Sequence, residues 1–227
     1  MITIRWGIFI LLGIAIGSPA FGQSTYDTLP NSPAHYKARM DRFNKEPVVT
    51  GKILFLGNGL IESGNWRRLL KDSTIINRGI SGDNTFGVLQ RTEDVTRRKP
   101  LKIFLLIGVD DLSKNIPTAT VLENIFSIVS KIRSGTPKSQ IFVQSLLPVN
   151  TTLKDFPAAY AKQETILELN GLLKKYSVAL KFTYVDIHDQ FLNKQNMLDN
   201  RFTPDGLHLN AAGYVHWVDF LKKNKFL

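Results

Sequence analysis

The 227-residue sequence predicts an α/β fold, one parallel sheet of five strands with helices packed on both faces. Five short runs of apolar and β-branched residues recur along the chain, and the stretches between them carry apolar residues at helical spacing. The first three runs each lead into a polar, glycine-bearing loop: GNGLIESG, GISGDN and GVDDLS. In a parallel sheet such loops gather beyond the carboxyl ends of the strands, where active sites form. A hydrophobic content of 43% with 21% charged residues fits one domain with a sizeable core, and neither a disordered nor a fibrous chain.

Taken in order, the chain opens on Arg5, an apolar run from Trp6 to Gly17 and the small-residue stretch SPAFGQ. That is the order of a secretory signal, so residues 1–22 are expected to be removed by a cut after Gly22. The run is shorter than the ~20 apolar residues a spanning helix needs, and no cysteine follows it to carry a lipid. Export to the periplasm or beyond is expected, with no stable membrane insertion after cleavage. Residues 23–50 read as an extension with a helix around His35, and 51–227 as the domain proper.

The expected strands are 52–57, 74–79, 101–108, 140–148 and 182–187, each apolar enough to be buried on both faces. Between the third and fourth, Val121, Leu122, Ile125, Phe126, Ile128, Val129 and Ile132 predict a helix that opens near Pro117 and closes at Gly135. A second helix follows Pro157, with Ile166, Leu169, Leu173 and Tyr176 along one stripe. The last runs from Asn210, an N-cap residue, through Trp217 and Phe220 to Leu221.

Charge and cysteine count narrow the function. Without its first 22 residues the chain has 28 basic against 19 acidic residues, a net +9. The basic residues are scattered and not interleaved with aromatics, which describes a solvated surface and speaks against nucleic-acid binding. With no cysteine, an exported chain depends on packing without disulfides.

Four short blocks carry the chemistry: Gly57-Asn58-Gly59, Ser81-Gly82-Asp83-Asn84, Gly108-Val109-Asp110-Asp111, and Asp205 with His208 three residues on. In content and order they resemble the SGNH, or GDSL, hydrolase family, which includes platelet-activating-factor-acetylhydrolase-like esterases and glycan O-acetylesterases. The resemblance runs from about Ile53 to the last helix and implies a flavodoxin-like three-layer α/β/α sandwich, ester chemistry and no cofactor. In an ordinary member a serine attacks the ester carbonyl, a histidine takes its proton, an aspartate orients the histidine, and backbone and amide N–H groups hold the oxyanion. Position by position, Gly59 stands at the nucleophilic serine, Gly82 at an oxyanion-hole N–H, and Asp110 at the oxyanion-binding asparagine. Asp205 and His208 keep the last block.

Gly59 removes the covalent step, and an ionised Asp110 would repel a developing oxyanion. The implied reading is a degenerate esterase that keeps a pocket for an acylated glycan or another small acylated ligand. The competing reading is an active hydrolase of O-acetyl groups on glycans, with lysolipid esters second, in which His208 activates water, or Ser63 or Ser81 replaces the lost nucleophile. Both serines also have plain structural readings, Ser63 as a turn residue ahead of a helix and Ser81 as a support for its loop through a local hydrogen bond. Asp110, Asp205 and His208 lack the spacing of a metal site, so no metal is expected. His35, His188 and His216 stand outside any motif.

Overall fold

The computed structural model describes residues 26–227. The expected signal peptide, 1–22, lies outside them. Helix α1 (Pro33–Lys45) precedes β1 (Ile53–Gly57), α2 (Gly59–Glu62), α3 (Trp66–Leu70) and β2 (Ile76–Gly79). Next come α4 (Thr85–Gln90), α5 (Thr92–Thr96), β3 (Lys102–Leu106), α6 (Val109–Ser113), α7 (Thr118–Gly135) and β4 (Gln140–Gln144). The chain closes with α8 (Gln163–Tyr176), β5 (Thr183–Val185) and α9 (Ala211–Lys223). The five strands pair in parallel in the order β2-β1-β3-β4-β5. This is the doubly covered α/β sandwich that the alternation implied.

The pleat sorts the side chains of the central strands into two cores. Leu54, Leu56, Ile103, Leu105, Ile141 and Val143 face α7 and α8 in an aliphatic core. Their neighbours Phe55, Phe104 and Phe142 point the other way, toward α3 and α9. Strand register sets these three side by side, with ring centroids 5.0 and 4.7 Å apart. Trp66 of α3 extends the row by stacking on Phe55 at 4.0 Å, and Trp217 of α9 meets Trp66 edge-on at 5.1 Å. Offset aromatic contacts of this kind add to the burial of large apolar area.

The longer helices follow the expected punctuation. Pro117 precedes α7 and Gly135 ends it, while the Asn210 side chain accepts from the Gly213 N–H at the start of α9. After Pro157 the chain first makes a short 3-10 turn, Ala158–Tyr160, so the helix begins only at Gln163. Helices α2 to α6 carry 4 to 6 residues each, too few for periodicity to reveal them. Three of them are nevertheless announced by asparagine: Asn58, Asn65 and Asn84 each cap one by accepting a backbone N–H.

Two strand expectations need correction. The third and fourth strands stop at Leu106 and Gln144, and the apolar residues beyond them belong to loops that run under the helices. The fifth strand is not buried on both faces: Thr183 is exposed, Tyr184 half-buried and Val185 alone buried. It lies at a sheet edge with β4 as its one neighbour.

Candidate active site

Because every strand runs the same way, β1, β2 and β3 deliver their loops to one edge of the sheet. At Gly57 the backbone has φ +154°, and a Cβ there would lie 1.9 Å from the Leu106 carbonyl oxygen of the neighbouring strand. Only glycine fits. The turn at Gly57 lets Asn58 cap α2, and Gly59 becomes the first residue of that helix.

Gly59 differs from Gly57 in kind. Its φ is not in the left-handed region, and a Cβ built on it meets nothing nearer than the Ser81 hydroxyl at 3.1 Å. The backbone therefore does not require glycine at the nucleophile position; a side chain would fit there with a small shift of Ser81. The Gly59 and Gly82 N–H groups have no protein partner among the described residues. Gly82 is in the left-handed region at φ +74°. Both residues line one cavity of about 200 Å³, together with Asn58, Ser81, Asp110 and His208.

The last block brings Asp205 and His208 into contact. Asp205 Oδ1 accepts the backbone N–H groups of Leu207 and His208 at 2.9 and 2.8 Å. Its Oδ2 lies 2.6 Å from His208 Nδ1, which leaves Nε2 for the cavity. Burial pushes the Asp205 carboxyl up, but the hydrogen bonds from the His208 ring and from the two N–H groups outweigh it and hold the pKa below the usual value. The imidazole is thus oriented by a carboxylate, as a general base must be.

Asp110 is buried in the cavity wall and accepts three hydrogen bonds. Asn58 Nδ2 reaches Oδ2 at 2.8 Å, and the Tyr160 hydroxyl and Asn31 Nδ2 reach Oδ1 at 2.9 and 3.0 Å. Burial raises its pKa above the ordinary carboxylate value, and these donors, with the positive potential of His208, work in the opposite direction. The Asn58 contact places the first and third blocks in direct bonding. Where the resembled pattern has aspartate before the serine and asparagine in the third block, this chain has Asn58 and Asp110. Here the two are bonded to each other, and a carboxyl group lines the cavity at the asparagine position.

The structure brings Gly59, Gly82, Asp110, Asp205 and His208 to one site. It also adds residues that the blocks did not name. Asn31 comes from the segment before α1, where its backbone N–H also donates to Gly82 O at 2.7 Å. Tyr160 comes from the turn after Pro157. Glu62 of α2 accepts the Ser81 N–H at 2.6 Å and is itself held by His35 at 2.9 Å. No sequence pattern marks Asn31 or Tyr160, whereas the reciprocal Asn58 and Asp110 exchange was readable from the blocks.

The two serines separate. Ser63 caps the carboxyl end of α2 just ahead of α3, in keeping with its turn reading. Ser81 does not support its loop through its hydroxyl, which makes no hydrogen bond among the described residues; its backbone N–H does so through Glu62. His188 is buried beside Ser145 and Asp189, and His216 bonds the Gln190 carbonyl, both away from the cavity. No group of three or more potential metal ligands occurs among the described residues.

Comparison with known proteins agrees with this fold. Residues 57–215 match the GDSL-like Lipase/Acylhydrolase family model. Subunit alpha2 of platelet-activating factor acetylhydrolase IB from Rattus norvegicus is 28% identical over 187 residues, covering 80% of this chain and 77% of that protein. A GDSL-like lipase from Bacteroides thetaiotaomicron superposes with a TM-score of 0.70 at 24% identity, over 85% of this chain and 98% of its own. A catalytic mutant of an acetylxylan esterase from Geobacillus stearothermophilus shares the fold at a TM-score of 0.62 and 16% identity, over 78% and 95% of the two chains.

Proposed function

Since the chain belongs to the GDSL-like lipase/acylhydrolase family, we propose that it is an exported member that keeps the acyl pocket and has lost the covalent step. The observation that carries this reading is the unforced glycine at position 59. Its backbone would accept a side chain, so conformation does not explain the missing hydroxyl. The exchange of Asn58 and Asp110 supports the same conclusion, because it replaces an oxyanion donor by an acceptor. An oxyanion-hole donor contributes roughly 3 kcal/mol to an ester-cleaving barrier, so its loss compounds that of the nucleophile.

The ligand of this pocket is a small acylated molecule, an O-acetylated glycan before a lysolipid ester. The family's action on acyl esters and the presence of acetylxylan esterases among proteins of this fold favour it. The amino-terminal pattern of Arg5, apolar run and small residues is what supports export. Calorimetry of the purified chain with an acetylated and a deacetylated xylo-oligosaccharide, run beside an acetyl-ester turnover assay, tests the proposal. Binding that requires the acetyl group without turnover is the expected result; turnover well above the spontaneous rate would contradict it.

The intact Asp205 and His208 pair favours one second reading, slow hydrolysis in which His208 activates a water or the Ser81 hydroxyl. His208→Ala would then abolish the turnover, and Ser81→Ala would tell the two nucleophiles apart.

A further inference from the structure

Three hydrogen-bonding groups at the acyl pocket are left unused by the protein. The Gly59 and Gly82 N–H groups have no partner among the described residues, and both residues border the cavity together with His208. The third group is His208 Nε2. Asp205 faces Nδ1 at 2.6 Å and is itself fixed by the Leu207 and His208 N–H groups, so it holds the ring proton on Nδ1 and leaves Nε2 of the neutral ring as an acceptor. No described residue donates to Nε2. The side chain is 53% exposed, so a ligand can reach it.

In the resembled pattern the donor to this nitrogen is the serine hydroxyl. Gly59 has none to give, and a Cβ built there meets nothing nearer than the Ser81 hydroxyl at 3.1 Å, which makes no bond to His208. An ester group cannot take over that role, because both of its oxygens only accept. A ligand matched to all three groups carries a carbonyl oxygen for the two N–H groups and, close by, a hydroxyl for His208. The wall of the cavity, about 200 Å³ in volume, says which kind of molecule brings that hydroxyl: Asn31, Asn58, Ser81, Asp110 and Tyr160 contribute to it. A hydrocarbon chain would cover these polar groups without bonding them, whereas a sugar brings hydroxyls of its own.

We propose that the pocket selects an acetylated sugar by a free hydroxyl on the carbon next to the acetylated one. That hydroxyl donates to His208 Nε2 in place of the lost serine, while the acetyl carbonyl accepts from Gly59 and Gly82. The inference rests on the reading of the pocket as one that binds an acyl group without the covalent step, and it makes His208 a ligand-binding residue. A sugar acetylated at both positions offers no such donor and is disfavoured.

Calorimetry on the full chain, comparing methyl 2-O-acetyl-β-xyloside with its 3-deoxy counterpart, tests the proposal, since the two differ only in the neighbouring hydroxyl. The deoxy compound should bind about tenfold more weakly or worse. His208→Ala removes the acceptor and Gly59→Ser supplies a competing donor, so in each variant the preference should fall below about twofold; circular dichroism checks that both fold. A lysophosphatidylcholine, which also carries a hydroxyl beside its ester, should bind more weakly than the acetylated xyloside. Equal affinity of wild type for the two xylosides, a preference that survives in either variant, or tighter binding of the lysolipid would overturn the inference and leave the acyl pocket standing. Absence of binding for all three compounds would overturn the reading of the acyl pocket and this inference with it.

Discussion

Gly57 and Gly59 stand two residues apart and obey different rules. At Gly57 the sheet forbids a side chain, since a Cβ would strike the Leu106 carbonyl oxygen at 1.9 Å; at Gly59 there is room for one. A serine at position 59 should therefore fold normally and still hydrolyse acetyl esters poorly, because Asp110 presents an acceptor where the oxyanion needs a donor. Asn58→Asp/Gly59→Ser/Asp110→Asn restores both the nucleophile and the polarity of the pair. It should exceed Gly59→Ser by roughly 10² in turnover, the effect of one oxyanion donor, and by more than the separate changes combined. Steady-state rates on a chromogenic acetyl ester check this. The sequence made most of this site legible, because Gly59, Gly82, Asp110, Asp205 and His208 sit in short blocks that the strand ends bring together. Asn31 and Tyr160 were not legible, since each reaches Asp110 through a tertiary contact from a segment without a pattern.

Among the elements, α6 carries a second buried carboxyl, Asp111, beside the site. Its acceptors are occupied by the Thr85 N–H and hydroxyl, the latter at 2.5 Å. Burial raises its pKa to about 7 against 3.8, although the Thr85 hydrogen bonds oppose the rise. The folded state thus holds a proton that the unfolded state releases, so this stabilisation is full below about pH 4 and declines as pH rises toward about 7. Asp111→Asn should remove that decline, gaining at most about 4 kcal/mol over wild type at pH 8 and little at pH 4. Urea unfolding across this range measures it. In the sheet, the phenylalanine row is the corresponding element: Phe104 stacks between Phe55 and Phe142, and Phe104→Ala should cost about 3–5 kcal/mol by the same assay. The row was hidden in the sequence reading. Five buried strands were expected, but register decides which side chains share a face, and register is set only when strands pair. The short helices α2 to α6 escaped for a related reason, because one turn shows no period and only their asparagine caps betray three of them.

At the scale of the whole molecule, the alternation of apolar runs and helical stripes was enough to give the parallel sheet and its two covering layers. It could not give the edge character of β5, which follows from strand order. Export is a prediction at this scale: the mature chain should begin near Gln23, and intact-mass measurement on exported protein checks it, with retention of residues 1–22 in a membrane fraction as the opposing result. The central claim is that an acyl pocket persists without a nucleophile, and reaction of folded wild-type chain with a fluorophosphonate, read by intact mass, tests it most directly. Wild type should take no adduct, while Asn58→Asp/Gly59→Ser/Asp110→Asn should take one at position 59. A stoichiometric adduct on wild type at Ser63 or Ser81, lost together with esterase activity when that serine is changed to alanine, would contradict the account and make this chain an esterase with a relocated nucleophile.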